Sequence, residues 1–338
     1  MKLDLLLVGC PLERAAETAR KAEAAGFDGV WVTEVANDPF LTLAVGLQAT
    51  SRLEMGTAIA LAFVRSPMVT ALSSWELQRA SRGRFRLGLG PQVKAHNERR
   101  FSVPYEKPAA RLAEQVRALR AIWAAFAGKA PLDFHGEFYR FDLLTEFFNP
   151  GPIDALPPPI YLAAVNPYSF RLAGEVADGV HVHPLHTVRY LAEVARPALA
   201  QGLARAGRPP GAVDVSAQVM VIAGSGEERR RMEEAVRAQL AFYGSTRTYK
   251  APLELAGYGD LNTRLHGLMA AGDREGLLAA VPDELLDEFA VRGDTWEDVV
   301  AIARKRYDGL VDRISLYFLP PLDGPEAARI PAAFAGHA

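Results

Sequence analysis

The sequence predicts a (β/α)8 barrel, and three observations carry that prediction. Short apolar runs alternate with longer amphipathic segments along the chain, as strand-then-helix units do. The apolar runs are nearly continuous, which is the pattern of parallel strands covered on both faces. The segment after the first strand, VGCPLERAAE, has no G-x-G-x-x-G fingerprint, so an open dinucleotide-binding sheet is the weaker reading. A length of 338 residues suits one large barrel with insertions, taken as a single unit over 1–338.

The elements follow in order. LDLLLVG (3–9) is a strand, followed by a helix from LERAAETARKAEAAG. GVWVTE (29–34) and PFLTLAVGLQATS form the second pair; RLEMGTAIAL (52–61) and SPMVTALSSWELQRAS form the third. Asp38 before Pro39 is placed to cap the second helix, because a short oxygen-bearing side chain satisfies its free N–H groups. FRLGLG (85–90) is the fourth strand, and YEKPAARLAEQVRALRAIWAAF has the three-and-four spacing of a helix packed on one face. PIYLAAV (159–165), GVHVHP (179–184), VDVSAQVMVIAG (213–224) and VDRISLYFL (311–319) complete the strands. Two stretches break the alternation. Residues 128–158 read as a hairpin turning at HGE with a proline-rich return, serving as lid or as dimer contact. Residues 244–292 read as an insertion with small helices before the last barrel helix, suited to an active-site rim.

Composition narrows the function classes. Hydrophobic content of 49% and charged content of 23% fit an ordinary globular chain with a real core. A net charge of −2 provides no field for nucleic acid or an anionic membrane. The single cysteine, Cys10, excludes a disulfide framework and a cysteine metal cage, and reads as a small buried hydrophobe. No apolar run reaches spanning length and the first residues lack a signal-peptide profile, so the expected location is cytoplasmic.

The blocks GFDGVWVTE, DPFLTLAVGLQATSRLEMGTAIA, RSPMVTA, ELQRASRGRFRLGLG and PIYLAAVNPYSFRLAGEVADGVHVHP, in that order, resemble the bacterial-luciferase-like monooxygenase superfamily. With GPQVKAHNERRF, YGSTRTY and RYDGLVDRISLY, the chain is most similar to the oxidoreductases that use the deazaflavin coenzyme F420. The resemblance runs from about residue 3 to 320. It implies a barrel with the cofactor ring across the C-terminal mouth and hydride exchange with a small organic substrate. Flavin mononucleotide (FMN) on a two-component monooxygenase, or a barrel that binds ligand without turnover, are the alternatives. The resemblance also implies a cis peptide joining Ala58 to Ile59 under the ring, the Gly90–His96 loop against the ring and ribityl chain, a phosphate site at Asn166, and a homodimer.

The residues have their own reading. Glu34 ends the second strand, where carboxylates point toward a barrel's mouth; it is a catalytic candidate or half of an ion pair. Arg65 is a phosphate contact or a surface cap. Gly90 and Pro91 force a sharp turn, and the resemblance implies that Gln92 and His96 after it are cofactor or substrate contacts. His96 is the candidate proton donor, since imidazole titrates near neutrality; Lys94, Arg99 and Arg100 form a solvated face. Ala164 and Val165 leave room for a cofactor at the fifth strand end. Asn166 to Ser169 open a helix whose N–H groups form an anion site or receive an ordinary cap. His181 and His183 lie two apart on a strand and share a face, yet lack the third ligand a catalytic metal needs; no metal is assigned, and His183 lines the pocket. Tyr243, Thr246, Arg247 and Tyr249 suit a substrate-pocket wall or a seal against water. Arg306 and Arg313 are expected to pair with Asp308 or Asp312.

Overall fold

The computed structural model describes residues 1–324 and 326–336. Strands β1 (Lys2–Leu7), β2 (Gly29–Val32), β3 (Glu54–Thr57), β4 (Phe85–Gly90), β5 (Ile160–Ala164), β6 (Gly179–Val182), β7 (Asp214–Ile222) and β8 (Arg313–Tyr317) pair in parallel. β7 pairs with both β6 and β8, and β8 with β1, so the ring closes as the sequence predicts. Two short strands, Ala60–Leu61 on β4 and Ala290–Arg292 on β7, extend the sheet. Helices α1 (Leu12–Ala25), α2 (Pro39–Gln48), α3 (Pro67–Ala80), α4 (Pro108–Phe126) and α5 (Pro167–Val176) cover the first five strands. Asp38 caps α2 as expected, its Oδ1 accepting from the Phe40 N–H at 2.8 Å.

Strand alternation sorts the barrel. Leu3, Leu5, Val30, Leu87, Leu162, Val180 and Ile314 face outward into the helix-packed core. Inward lie Trp31 and Tyr161, 5.2 Å apart, with the His181 ring 4.5 Å from Trp31 and 5.0 Å from Tyr161. Glycines make room for these rings. A Cβ on Gly56 would stand 2.4 Å from the Trp31 ring, and one on Gly88 would stand 1.9 Å from the Thr57 carbonyl oxygen.

Below the rings sits a charged layer. Arg313 donates to both oxygens of Asp4, at 2.7 and 2.8 Å, and to Glu54 at 2.5 Å. Trp31 Nε1 donates to Asp4 at 2.8 Å, and Arg86 to Glu54 at 3.0 Å. Arg313 and Asp4 are buried. The expectation that Arg313 pairs with a neighbouring aspartate is therefore corrected. Its strand position points into the barrel, while Asp312 accepts from the Val215 N–H outside it at 2.8 Å.

The two insertions take different places. In the first, Phe134–His135 pairs with Arg140–Phe141 as the expected hairpin. The buried Glu114 of α4 accepts from the backbone N–H groups of Glu137, Phe138 and Tyr139, each at 2.8 Å. The return stretch then lies along the outside of α3, where Trp75 and Gln78 donate to the carbonyls of Gly151 and Leu156. It leaves Phe147 and Leu156 more than four-fifths exposed, at 89% and 82%.

The second insertion is larger than expected. Helix α6 (Gly226–Gly244) packs with helices Gly259–Ala271, Arg274–Ala279 and Asp283–Phe289. Together they form a separate apolar cluster over the ends of β7 and β8, with Met220, Leu240, Leu265 and Tyr317 at its centre. The outer-ring position before β8 belongs instead to α7 (Trp296–Tyr307), whose Val299, Val300 and Ala303 enter the main core. Of GEERRRMEEAVRAQLAFYG only Val236, Leu240, Ala241 and Gly244 are buried, all in its second half.

Candidate active site at the barrel mouth

The mouth is formed where the strands end on the side of the second insertion. Ala58 and Ile59 extend β3 there, and the peptide joining them is cis. The Ile59 side chain lies over Gly90, so that a Cβ on Gly90 would stand 2.9 Å from it and 3.3 Å from the Ala163 Cβ. The turn after Gly90 places Gln92 at a positive φ of 57°. The Gln92 carbonyl accepts from the Tyr105 hydroxyl at 3.0 Å, which fixes the loop.

His183 stands at the end of β6 and is the centre of the site. Its ring lies 4.5 Å from Tyr243 and 4.6 Å from Tyr249, and Tyr243 shares a 2.9 Å hydrogen bond with Tyr317. Residues sixty positions apart in sequence thus meet. The Leu185 N–H donates to His183 Nδ1 at 3.1 Å, so Nε2 carries the proton. Burial, helped by the neighbouring His186, pushes the His183 pKa down to about 3, and the imidazole is neutral at physiological pH. Burial raises the hydroxyl pKa values of Tyr243, Tyr249 and Tyr317, so these too remain uncharged. His186 is a support: its Nδ1 donates to the His183 carbonyl at 2.8 Å, and its Nε2 accepts from Tyr307 at 3.0 Å.

Several expected residues stand elsewhere. The Glu34 carboxylate is held by Arg65 at 2.6 and 2.9 Å and by the Leu61 N–H at 2.7 Å, and Arg65 also reaches Asp38 at 2.8 Å. Both Glu34 oxygens are engaged, so its ion-pair reading replaces the catalytic one, and Arg65 is its partner. Ala164 is corrected likewise: its methyl enters the helix-packed core, because Ala163 and Val165 hold the inward positions of β5.

Asn166 and Ser169 form a reciprocal capping box. Asn166 Oδ1 accepts from the Ser169 N–H at 3.0 Å, and Ser169 Oγ accepts from the Val165 and Asn166 N–H groups at 3.0 and 3.1 Å. Those donors are not free for a phosphate. Only the Tyr168 N–H of this turn has no partner among the described residues.

His96 is exposed on the short helix Lys94–Arg100 and touches none of the pocket rings. Arg100 of that helix donates to the Val35 carbonyl, which ties it to the loop of Glu34. Arg247 is exposed, and the Thr246 carbonyl accepts from Asn262 at 3.0 Å. Tyr105 and Tyr317 are the site residues that the sequence reading missed. Tyr317 carried a signal, since it ends an apolar strand at the position equivalent to a barrel mouth.

The fit of a flat heteroaromatic cofactor rests on this wall. It is aromatic, half-buried and uncharged, and it presents one imidazole N–H with no partner among the described residues. Among those residues no helix is long and apolar enough to cross a membrane.

Comparison with known proteins places the chain. Residues 6–313 match the family described as luciferase-like monooxygenase. A Mycobacterium tuberculosis chain named only as an uncharacterised protein is 45% identical over 309 residues, 91% of each chain. A 5,10-methylenetetrahydromethanopterin reductase of Archaeoglobus fulgidus is 31% identical, covering 82% of this chain and 81% of its own. The structure of the coenzyme F420-dependent tetrahydromethanopterin reductase from Methanopyrus kandleri superposes with a TM-score of 0.75 at 21% identity, covering 98% of this chain and 97% of its own, and so shares the fold. This chain belongs to the luciferase-like monooxygenase family.

Proposed function

We propose that this protein is an oxidoreductase that exchanges a hydride between coenzyme F420 and a small organic substrate at the barrel mouth. The observation that carries the reading is the neutral His183, boxed between Tyr243 and Tyr249 with its Nε2–H free to donate. A deazaflavin bound there supplies the hydride acceptor or donor. The chain's own residues do the rest. Ile59 and Val165 bound the ring's seat, and Gln92 and Gly90 shape its edge. His183 holds the substrate oxygen by a hydrogen bond, in the manner of a fixed dipole aimed at developing charge. A group with a pKa of about 3 is a poor proton store near neutrality. The proton that accompanies the hydride is assigned to His96 acting through water, since its exposed ring touches none of the pocket rings.

A Mycobacterium tuberculosis relative named as a putative coenzyme F420-dependent oxidoreductase, 28% identical over 84% of this chain, supports F420 as the cofactor. The family's monooxygenase description supports a second reading, FMN on a two-component enzyme. His96→Ala tests the proton assignment. Turnover is expected to fall about 100-fold, with partial rescue by added imidazole; an unchanged steady-state rate would remove His96 from the mechanism.

The same reading has two copies associating through the first insertion, whose Phe147 and Phe148 are exposed at 89% and 69%. Light scattering is expected to find a dimer for the native chain and a monomer for the doubly substituted Phe147→Ser, Phe148→Ser protein.

A further inference from the structure

The helix Lys94–Arg100 follows the turn at Gly90–Gln92 and has no apolar face. Six of its seven residues are exposed, and Asn97, in the middle, is its one buried side chain. A surface helix ordinarily docks through an apolar stripe; here an amide stands where the stripe would be. Asn is also a weak helix former, because its side chain competes for backbone groups. What it binds explains its place. Asn97 Nδ2 donates to the Pro91 carbonyl at 2.8 Å and to the Val93 carbonyl at 3.1 Å. Those two acceptors flank Gln92, and an amide nitrogen has the two protons that serve both. Asn97 Oδ1 has no partner among the described residues, so the side chain's hydrogen bonding is concentrated on this turn.

Gln92 needs that support. Its φ of 57° lies in the left-handed region, where a residue with a Cβ is disfavoured. Its own side chain is folded back on the loop, with Oε1 accepting from the Val93 N–H at 2.9 Å. The Tyr105 hydroxyl braces its carbonyl, and the Gly90 carbonyl accepts from the Ala62 N–H at 2.9 Å. A strained backbone persists only where its surroundings enforce it.

We infer that Asn97 is a positioning residue, which holds Gln92 in its left-handed conformation and so keeps the turn in the shape that receives the edge of the cofactor. The inference rests on the reading that this turn borders the cofactor's seat. With the amide in place the turn is preset before the cofactor arrives. Without it the turn relaxes, and only the fraction still in the native shape binds.

The test compares binding of oxidised F420 to the whole native chain and to Asn97→Ala by stopped-flow fluorescence. Asn97→Ala is expected to raise Kd about tenfold, with the loss in the association rate and the dissociation rate unchanged within about twofold. Asn97→Ser keeps a donor for the Val93 carbonyl four residues back and is expected to fall between; it serves where Asn97→Ala folds poorly. Gln92→Gly supplies the discriminating background. Glycine takes the left-handed turn without a Cβ penalty, so adding Asn97→Ala to it is expected to cost less than about threefold. Glu98→Gln, on the exposed face of the same helix, is expected to bind F420 as the native chain does. Affinity unmoved by both Asn97 variants, an equal loss in both backgrounds, or a loss carried by the dissociation rate overturns the inference. Amide hydrogen exchange of the cofactor-free chain separates the inference from the cofactor reading. Exchange over residues 91–97 is expected to quicken about tenfold in Asn97→Ala. Failure of F420 to bind the native chain would count against the cofactor reading alone, whereas unchanged exchange would overturn the role given to Asn97.

Discussion

Asp4→Ala is expected to destabilise the barrel by about 3–5 kcal/mol, read as a lower denaturant midpoint with an unchanged slope. Asp4 is fully buried and accepts from Trp31 and twice from Arg313. Its removal leaves Arg313 inside the barrel with Glu54 as its one remaining carboxylate. A buried guanidinium stripped of its partner carries its desolvation cost uncompensated. Replacing both partners, as Asp4→Leu with Arg313→Met, is expected to recover most of the loss, because no charge then remains stranded. A single variant as stable as the native chain would show that the layer is not coupled as its geometry implies. The same layer sets an acid limit. Burial pushes Glu54 up, but Arg313 and Arg86 outweigh it and take its pKa down from 4.5 to about 2. A folded pKa below the unfolded one contributes stability that is complete above about pH 4.5 and is lost as pH falls toward 2. Glu54→Gln should flatten that part of the stability profile.

His183→Phe is expected to lower kcat by about 100- to 1,000-fold, the cost of losing one hydrogen bond aimed at a reacting oxygen. The phenyl ring keeps the packing against Tyr243 and Tyr249, so cofactor affinity should change little. The lost Nδ1 acceptor leaves the Leu185 N–H unpaired at a cost of about 1–3 kcal/mol, which a melting curve separates from the kinetic effect. The His183 pKa of about 3 carries a further consequence. Any ionisation seen in the native rate near neutrality belongs to another group, and it should persist in His183→Phe. An unchanged kcat would remove His183 from the chemistry.

The barrel was legible because its signal repeats. Each strand has its outward apolar set, and α2, α3 and α5 each start at a proline after a polar cap. The face of a single residue was harder to read. In IYLAAV both parities are apolar, so nothing local distinguishes Ala164, which faces the helices, from Ala163 and Val165. Long-range pairs left no trace at all. Asp4 and Arg313 meet across 309 positions, and only a charge inside an apolar strand marked either one. The His183–Tyr243–Tyr249 wall was readable from composition, since aromatic rings and hydroxyls near a strand end suit a pocket. Asn166 and Ser169 looked like an anion cradle because a cap and a cradle use the same residue types; only the hydrogen bonds separate them.

The central claim is that the mouth accepts a deazaflavin. Titration of the purified chain with oxidised F420 and, separately, with FMN, followed by absorbance and fluorescence, tests it most directly. The account predicts saturable binding of F420 at one site per chain, with FMN about tenfold weaker or more. A preference for FMN, or binding of neither, would contradict it.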